Sequence, residues 1–139
     1  MSGPNNYNQS VIDSYRANAG KVQHPSPLLL LTTTGARSGE PRTTPVAYST
    51  DGDRFIILAS KGGAPTNPAW YFNLVAHPTV TVELGTGQSL ERFQARATVA
   101  EGQERERLFA HHAELMPGFA DYQVKTTRQI PVIILERIG

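Results

Sequence analysis

The stretch LLLLTTTGARSGEPRTTPVAYS, residues 28–49, decides the fold. Its four leucines and three threonines predict a strand over residues 28–34, because branched and bulky side chains fit a pleated surface. Gly35-Ala36-Arg37-Ser38-Gly39-Glu40-Pro41 reads as a turn, and residues 42–49 as a second strand. Pro45 has no N–H to donate, which confines that strand to an edge or an irregularity. Asp51-Gly52 then gives a tight hairpin, and residues 54–60 are apolar enough to predict a third strand buried on both faces.

Toward the N-terminus, residues 1–8 are polar and are expected to be disordered, leaving 9–139 as a single domain. A short helix is predicted over residues 10–17, with Ser10 as cap, Ile12 and Tyr15 at helical spacing, and Gly20 as the stop. Toward the C-terminus, Lys61-Gly62-Gly63-Ala64-Pro65-Thr66 is a loop. Asn67 caps a helix with Pro68 at its first position, running through Trp70 and Leu74 to His77. Val80, Val82 and Leu84, then Phe93, Ala95, Ala97 and Val99, alternate with polar residues as two strands. Residues 101–115 form an acidic-start helix, 116–127 an irregular segment, and 130–135 a last strand. The fold class is mainly β with α+β character: about six mostly antiparallel strands, an N-terminal helix and inserted helices. Short antiparallel strands that must hide their edges favour closure into a barrel.

Thirteen Lys and Arg face twelve Asp and Glu, for a formal net charge of +1. A bulk nucleic-acid binder carries a marked basic excess, so no nucleic-acid partner is expected. The absence of cysteine removes disulfides, thiolate nucleophiles and zinc–thiolate sites, and suits a cytoplasmic setting. The aliphatic runs are too short to span a bilayer. His111 and His112 face different directions on a helix, and no metal site is expected.

Three segments carry chemistry. Arg37 and Arg42 flank a turn whose glycines admit a ligand, a clamp for phosphate or carboxylate. An ordinary solvated turn explains them more simply on composition alone. Ser60-Lys61-Gly62-Gly63 sets an ammonium beside flexible N–H groups, which suits an anion or an electron-rich ring. A strand-ending turn with a solvated lysine is an equal reading. Trp70 and Tyr71 offer flat surface for a planar ring, although burial against a barrel explains the aromatics as well.

Taken in order, Leu30-Leu31-Thr32-Thr33-Thr34-Gly35, Arg37-Ser38-Gly39 with Pro41-Arg42 and Pro45, Ala59-Ser60-Lys61-Gly62-Gly63, Asn67-Pro68 with Trp70-Tyr71-Asn73-Leu74, and Asp121-Tyr122-Gln123 with Arg128-Gln129-Ile130-Pro131 resemble one family. It is the deazaflavin-dependent nitroreductase family of split-barrel oxidoreductases. The resemblance implies a split β-barrel, coenzyme F420 as cofactor, and hydride transfer to a planar acceptor such as a quinone, enone or nitroaromatic. It implies that Arg37, with Ser38, and Arg42 hold the phosphate and acidic tail. Thr43, Thr44 and Pro45 line the groove, while Ala59, Ser60, Lys61 and Gly62 approach the ring. Ala69, Trp70 and Asn73 cover the ring from the helix side. Met116, Phe119, Tyr122 and Ala47 shape the acceptor pocket, with Tyr122 or Ser60 polarising the acceptor or relaying a proton. Met116, Phe119 and Ala47 stand where the family carries larger aromatics, which sets nitroaromatic reduction apart from cofactor binding. Three alternatives stay open: the same barrel with FMN, a non-catalytic deazaflavin carrier, and a peripheral membrane contact through the N-terminal helix. The chain is expected to be a monomer or weak dimer.

Overall fold

The computed structural model describes residues 6–22, 24 and 26–138. The chain runs α1 (Asn6–Ala17), β1 (Leu28–Thr34), β2 (Pro41–Ala47), β3 (Ser49–Asp51), β4 (Arg54–Leu58), a 3-10 turn (Lys61–Gly63), α2 (Ala69–Ala76), β5 (Thr79–Gly85), β6 (Leu90–Val99), α3 (Gly102–Leu115), α4 (Gly118–Val124) and β7 (Val132–Ile138). All seven strands form one antiparallel sheet in the order β2-β1-β5-β6-β7-β4-β3.

The two edge strands, β2 and β3, are separated in sequence by Tyr48 alone. A flat sheet would hold its edges several strand spacings of about 4.8 Å apart. One residue spans at most about 3.6 Å, so the sheet must curl until its edges meet. They meet without a hydrogen-bonded ladder among the described residues, so the sheet is open along that seam.

Curling gives the strands an inside and an outside. Leu29 and Leu31 of β1, Ile57 of β4, and Ile133 and Leu135 of β7 point inward to a core shared with Val80, Val82, Phe93 and Ala95. Their neighbours point outward and are covered by helices. Leu30 lies under Ile12 and Tyr15 of α1, while Ile56, Leu58, Val132 and Ile134 lie under Leu108 of α3 and Phe119 and Tyr122 of α4. This double covering explains why residues 28–31 and 55–59 are apolar without alternation. Trp70 and Leu74 of α2 join the inner core.

Several expectations are corrected. The described residues form seven strands, because Tyr48 breaks the predicted 42–49 strand in two. Residues 118–124, expected to be irregular, form α4, which makes four helices. The first helix begins at Asn6, not at Ser10; residues 1–5 of the expected disordered segment lie outside the described residues. Asn67 does not cap α2: Pro68 holds that position, and the Asn67 side chain bonds Arg128 instead. Glu83, expected on a solvated face, is buried because Arg16 of α1 reaches it with two hydrogen bonds of 2.8 Å.

Helix α1 is seated at two further points. The Tyr15 hydroxyl donates to the Leu28 carbonyl at 2.9 Å and accepts from the Gly85 amide at 2.8 Å. Burial pushes the Tyr15 pKa up. Beyond the helix, Gly20 and Gly85 approach so closely that a Cβ on Gly85 would stand 2.3 Å from the Gly20 Cα and 2.4 Å from the Ala19 carbonyl oxygen. Both obstacles are backbone. Gly85→Ala is expected to cost about 1–3 kcal/mol, read as a lower urea midpoint. A loss within about 0.5 kcal/mol, typical of a neutral surface change, would contradict this packing.

Candidate functional site

One open groove has a volume of about 1010 Å³. Small-molecule sites commonly span roughly 300–1,000 Å³. One wall is the β1–β2 turn, with Gly35, Ala36, Arg37, Ser38, Arg42, Thr43 and Thr44. A second is the start of α2, with Ala69, Trp70, Phe72 and Asn73. The third is α1, through Asn8, Gln9, Ile12 and Arg16.

Asn73 joins the first two walls. Its Oδ1 accepts from the Ala36 amide at 2.9 Å, and its Nδ2 donates to Thr33 Oγ1 at 3.1 Å. The expected role of Asn73 as a cover for the ring is therefore joined by a structural one. Within the turn, the Gly35 amide donates to the Glu40 carbonyl and the Gly39 amide to the Gly35 carbonyl. Gly39 takes a φ of 72°, the left-handed region that glycine enters without a Cβ clash. Thr32 and Thr43 bridge the hairpin through their hydroxyls at 2.8 Å.

This turn presents two guanidiniums without a neutralising partner among the described residues. Arg37 and Arg42 are exposed, and among the described residues neither has a carboxylate within 4.0 Å. Arg42 makes only a 3.4 Å contact to its neighbour's carbonyl, that of Pro41. Four arginines elsewhere are ion-paired: Arg16 to Glu83, Arg54 and Arg107 to Asp51, and Arg105 to Glu106. The Arg107 and Arg54 guanidiniums hold the Asp51 carboxyl down at about 2.

Pro45, Ala59, Ser60, Lys61 and Gly62 do not line this groove. Pro45 is half-buried in β2 opposite Leu30. Ala59 and Ser60 are buried at the end of β4, where the chain turns through three successive left-handed residues: Lys61 (φ 49°), Gly62 (65°) and Gly63 (85°). Lys61 is exposed, with its ammonium 3.4 Å from Thr66 Oγ1. The turn packs on α4, where a Cβ on Gly63 would stand 3.0 Å from the Tyr122 carbonyl oxygen. Ser60 and Tyr122 thus lie on adjoining elements.

Of the expected acceptor pocket, the structure gathers three residues and separates one. Met116 is buried at the end of α3; Phe119 and Tyr122 stack edge to face on α4 with centroids 5.3 Å apart. Ala47 ends β2 opposite Leu28 and lines no cavity with them. No group of three His, Asp or Glu suited to a metal occurs among the described residues. No local signal in the sequence points to the α1 wall with Arg16, to Phe72, or to a task for Arg128.

His112 belongs to this region. It is fully buried, its Nδ1 lies 2.7 Å from Ser49 Oγ, and the Phe119 ring meets it edge-on at 4.6 Å. Its Nε2 has no partner among the described residues. Burial, helped by neighbouring His111, pushes its pKa from 6.5 down to about 4.

Residues 8–137 match the sequence model of the family described as F420H(2)-dependent quinone reductase. A Mycobacterium tuberculosis protein of that name is 39% identical over 130 residues, covering 88% of this chain and 85% of its own. Among solved structures, one titled F420-H2 dependent reductase (FDR-A) superposes with a TM-score of 0.70 at 41% identity, over 84% of this chain and all (100%) of the other. Another, titled a domain-swapped dimer, gives 0.72 at 37% identity, over 92% and 95% of the two chains.

The depressed histidine makes stability pH-dependent. Between pH 6.5 and 4 the unfolded chain binds a proton at His112 that the folded chain refuses, so stability is full above pH 6.5 and falls as pH drops toward 4. The loss is about 3 kcal/mol over that window. His112→Gln is expected to flatten this slope in urea titrations across the window. An unchanged slope would remove His112 as its source. Asp51, held at about 2, titrates below the window.

Proposed function

The chain belongs to the F420H(2)-dependent quinone reductase family, and we propose that its α1–turn–α2 groove grips the phosphate and acidic tail of F420 while the Ser60–Lys61 turn meets the ring. It is an F420-dependent reductase acting on a small molecule. These matches give no support to FMN or to a non-catalytic carrier.

The observation that carries the assignment is the pair of unneutralised guanidiniums beside an indole in one groove. That donor set suits the ligand: Arg37 and Arg42 match planar oxyanions, Ser38, Thr43 and Thr44 add hydroxyl donors, and Ala69 and Trp70 offer a flat apolar flank. A charge-assisted hydrogen bond contributes about 1.5–3 kcal/mol. Two leave a remainder of the ~8 kcal/mol that micromolar binding requires. Burial of the ring on Trp70 fills it, at about 25 cal/mol per Å² of apolar surface.

When bound and reduced, F420 supplies a hydride, since a deazaflavin carries carbon where a flavin has its reactive central nitrogen. The protein's own residues do the rest. Lys61 sets positive charge at the ring end, beside Ala59, Ser60 and Gly62, and Pro45 stiffens the β2 edge there. Met116, Phe119 and Tyr122 exclude water from the acceptor side. Tyr122 Oη or Ser60 Oγ donates a hydrogen bond, then a proton, to the acceptor oxygen. The acceptor is a quinone or a related planar enone or nitroaromatic, the first favoured by the relative's name.

The curled open sheet corresponds in this reading to a split barrel, and residues 9–139 act as one domain, monomeric or weakly dimeric. No helix among the described residues is long and apolar enough to cross a membrane. We place the enzyme in the cytoplasm, where α1 leaves room for peripheral contact with the inner face of the cell membrane.

Arg42→Ala is expected to raise the Kd for F420 by about 10- to 100-fold. The Kd for the deazaflavin riboside, the same ring without phosphate or tail, should stay unchanged. Fluorescence titration reads both. Equal losses for the two ligands would detach Arg42 from the tail, and no loss for either would remove it from the site.

A further inference from the structure

Arg128 lies after α4 and before β7, and it has no carboxylate partner among the described residues. Its guanidinium instead gathers one short stretch of chain. Nε donates to the Ala64 carbonyl at 3.0 Å, Nη1 to the Ala59 carbonyl at 3.2 Å and to Asn67 Oδ1 at 2.6 Å, and Nη2 to the Ser60 carbonyl at 2.7 Å. These four bonds span both ends of the turn containing Lys61, Gly62 and Gly63.

That turn needs holding. Lys61 has a φ of 49°, a region in which an L-residue's Cβ crowds the following carbonyl, and two more left-handed residues follow. Such a conformation persists only where its surroundings over-determine it. Within the turn, two hydrogen bonds close it: the Gly63 amide to the Ser60 carbonyl and the Ala64 amide to the Lys61 carbonyl. Arg128 is itself fixed from α4, since Gln123 Nε2 donates to its carbonyl at 2.8 Å. Arg128 thus couples the end of β4 and the start of α2, through its guanidinium, to the helix carrying Tyr122, through its carbonyl. A lysine has one compact ammonium and no planar fork to reach four separate acceptors.

We infer that Arg128 is a positioning residue that holds the Ser60–Lys61 turn in the conformation that receives the deazaflavin ring. The inference rests on the assignment of that turn to the ring end.

The test uses the deazaflavin riboside as probe, so that the tail clamp does not enter. Arg128→Ala is expected to raise the riboside Kd by on the order of 10–100-fold and to speed amide exchange at residues 60–64 in the ligand-free protein, while exchange in β5, β6 and β7 stays as in the wild type. Arg128→Lys should not restore binding, whereas millimolar guanidinium added to Arg128→Ala should restore part of it. A riboside Kd within twofold of wild type in Arg128→Ala, with Lys61→Ala weakened, would overturn the inference and leave the ring-end assignment standing. If Lys61→Ala and Ser60→Ala both bind the riboside as wild type does, that assignment falls and takes the inference with it. Should Arg128→Ala not fold, Arg128→Lys carries the comparison, and wild-type affinity in it would overturn the inference.

Discussion

Everything in this molecule follows from one short connection. Tyr48 alone links the two edges of a seven-stranded sheet, so the sheet has to close on itself. Closure creates an interior for alternate residues of β1, β4, β5, β6 and β7 and leaves an exterior that three helices cover on β1, β4 and β7. It also fixes where a ligand can lie. The β1–β2 turn projects from the edge of the sheet, and α1 and α2 stand on either side of it.

Charge is sorted within this frame. The formal total of +1 conceals arginines with different tasks. Arg16, Arg54, Arg105 and Arg107 are tied to carboxylates and serve the fold. Arg37 and Arg42 stand in the groove without carboxylate partners among the described residues, and Arg128 spends its donors on backbone carbonyls and Asn67. Burial pushes the Arg128 pKa down, the mark of a cation held among neutral acceptors.

Much of this was legible in the sequence where local chemistry decides the outcome. Strand β1 matches its predicted span because a leucine run bounded by Pro27 and Gly35 has few alternatives. Pro45 lies in an edge strand as its missing N–H requires. What escaped was set by partners distant in sequence. Strand β3 is three residues long, and nothing in Val46-Ala47-Tyr48-Ser49 signals a break. Helix α4 is short and starts at Gly118 directly after Pro117, two residue types that ordinarily interrupt a helix. Asn67 looked like a helix cap because its true partner, Arg128, is 61 positions away. The turn arginines could be picked out because one hairpin builds their wall. The α1 wall could not, because docking a helix on a sheet depends on contacts such as Tyr15 with Gly85.

A crystal structure with oxidised F420 bound tests the central claim most directly. The account predicts the phosphate within hydrogen-bonding distance of the Arg37 and Arg42 guanidiniums, and the ring lying between Trp70 and the Ser60–Lys61 turn. A complex in which those arginines face solvent and the tail runs elsewhere would contradict it.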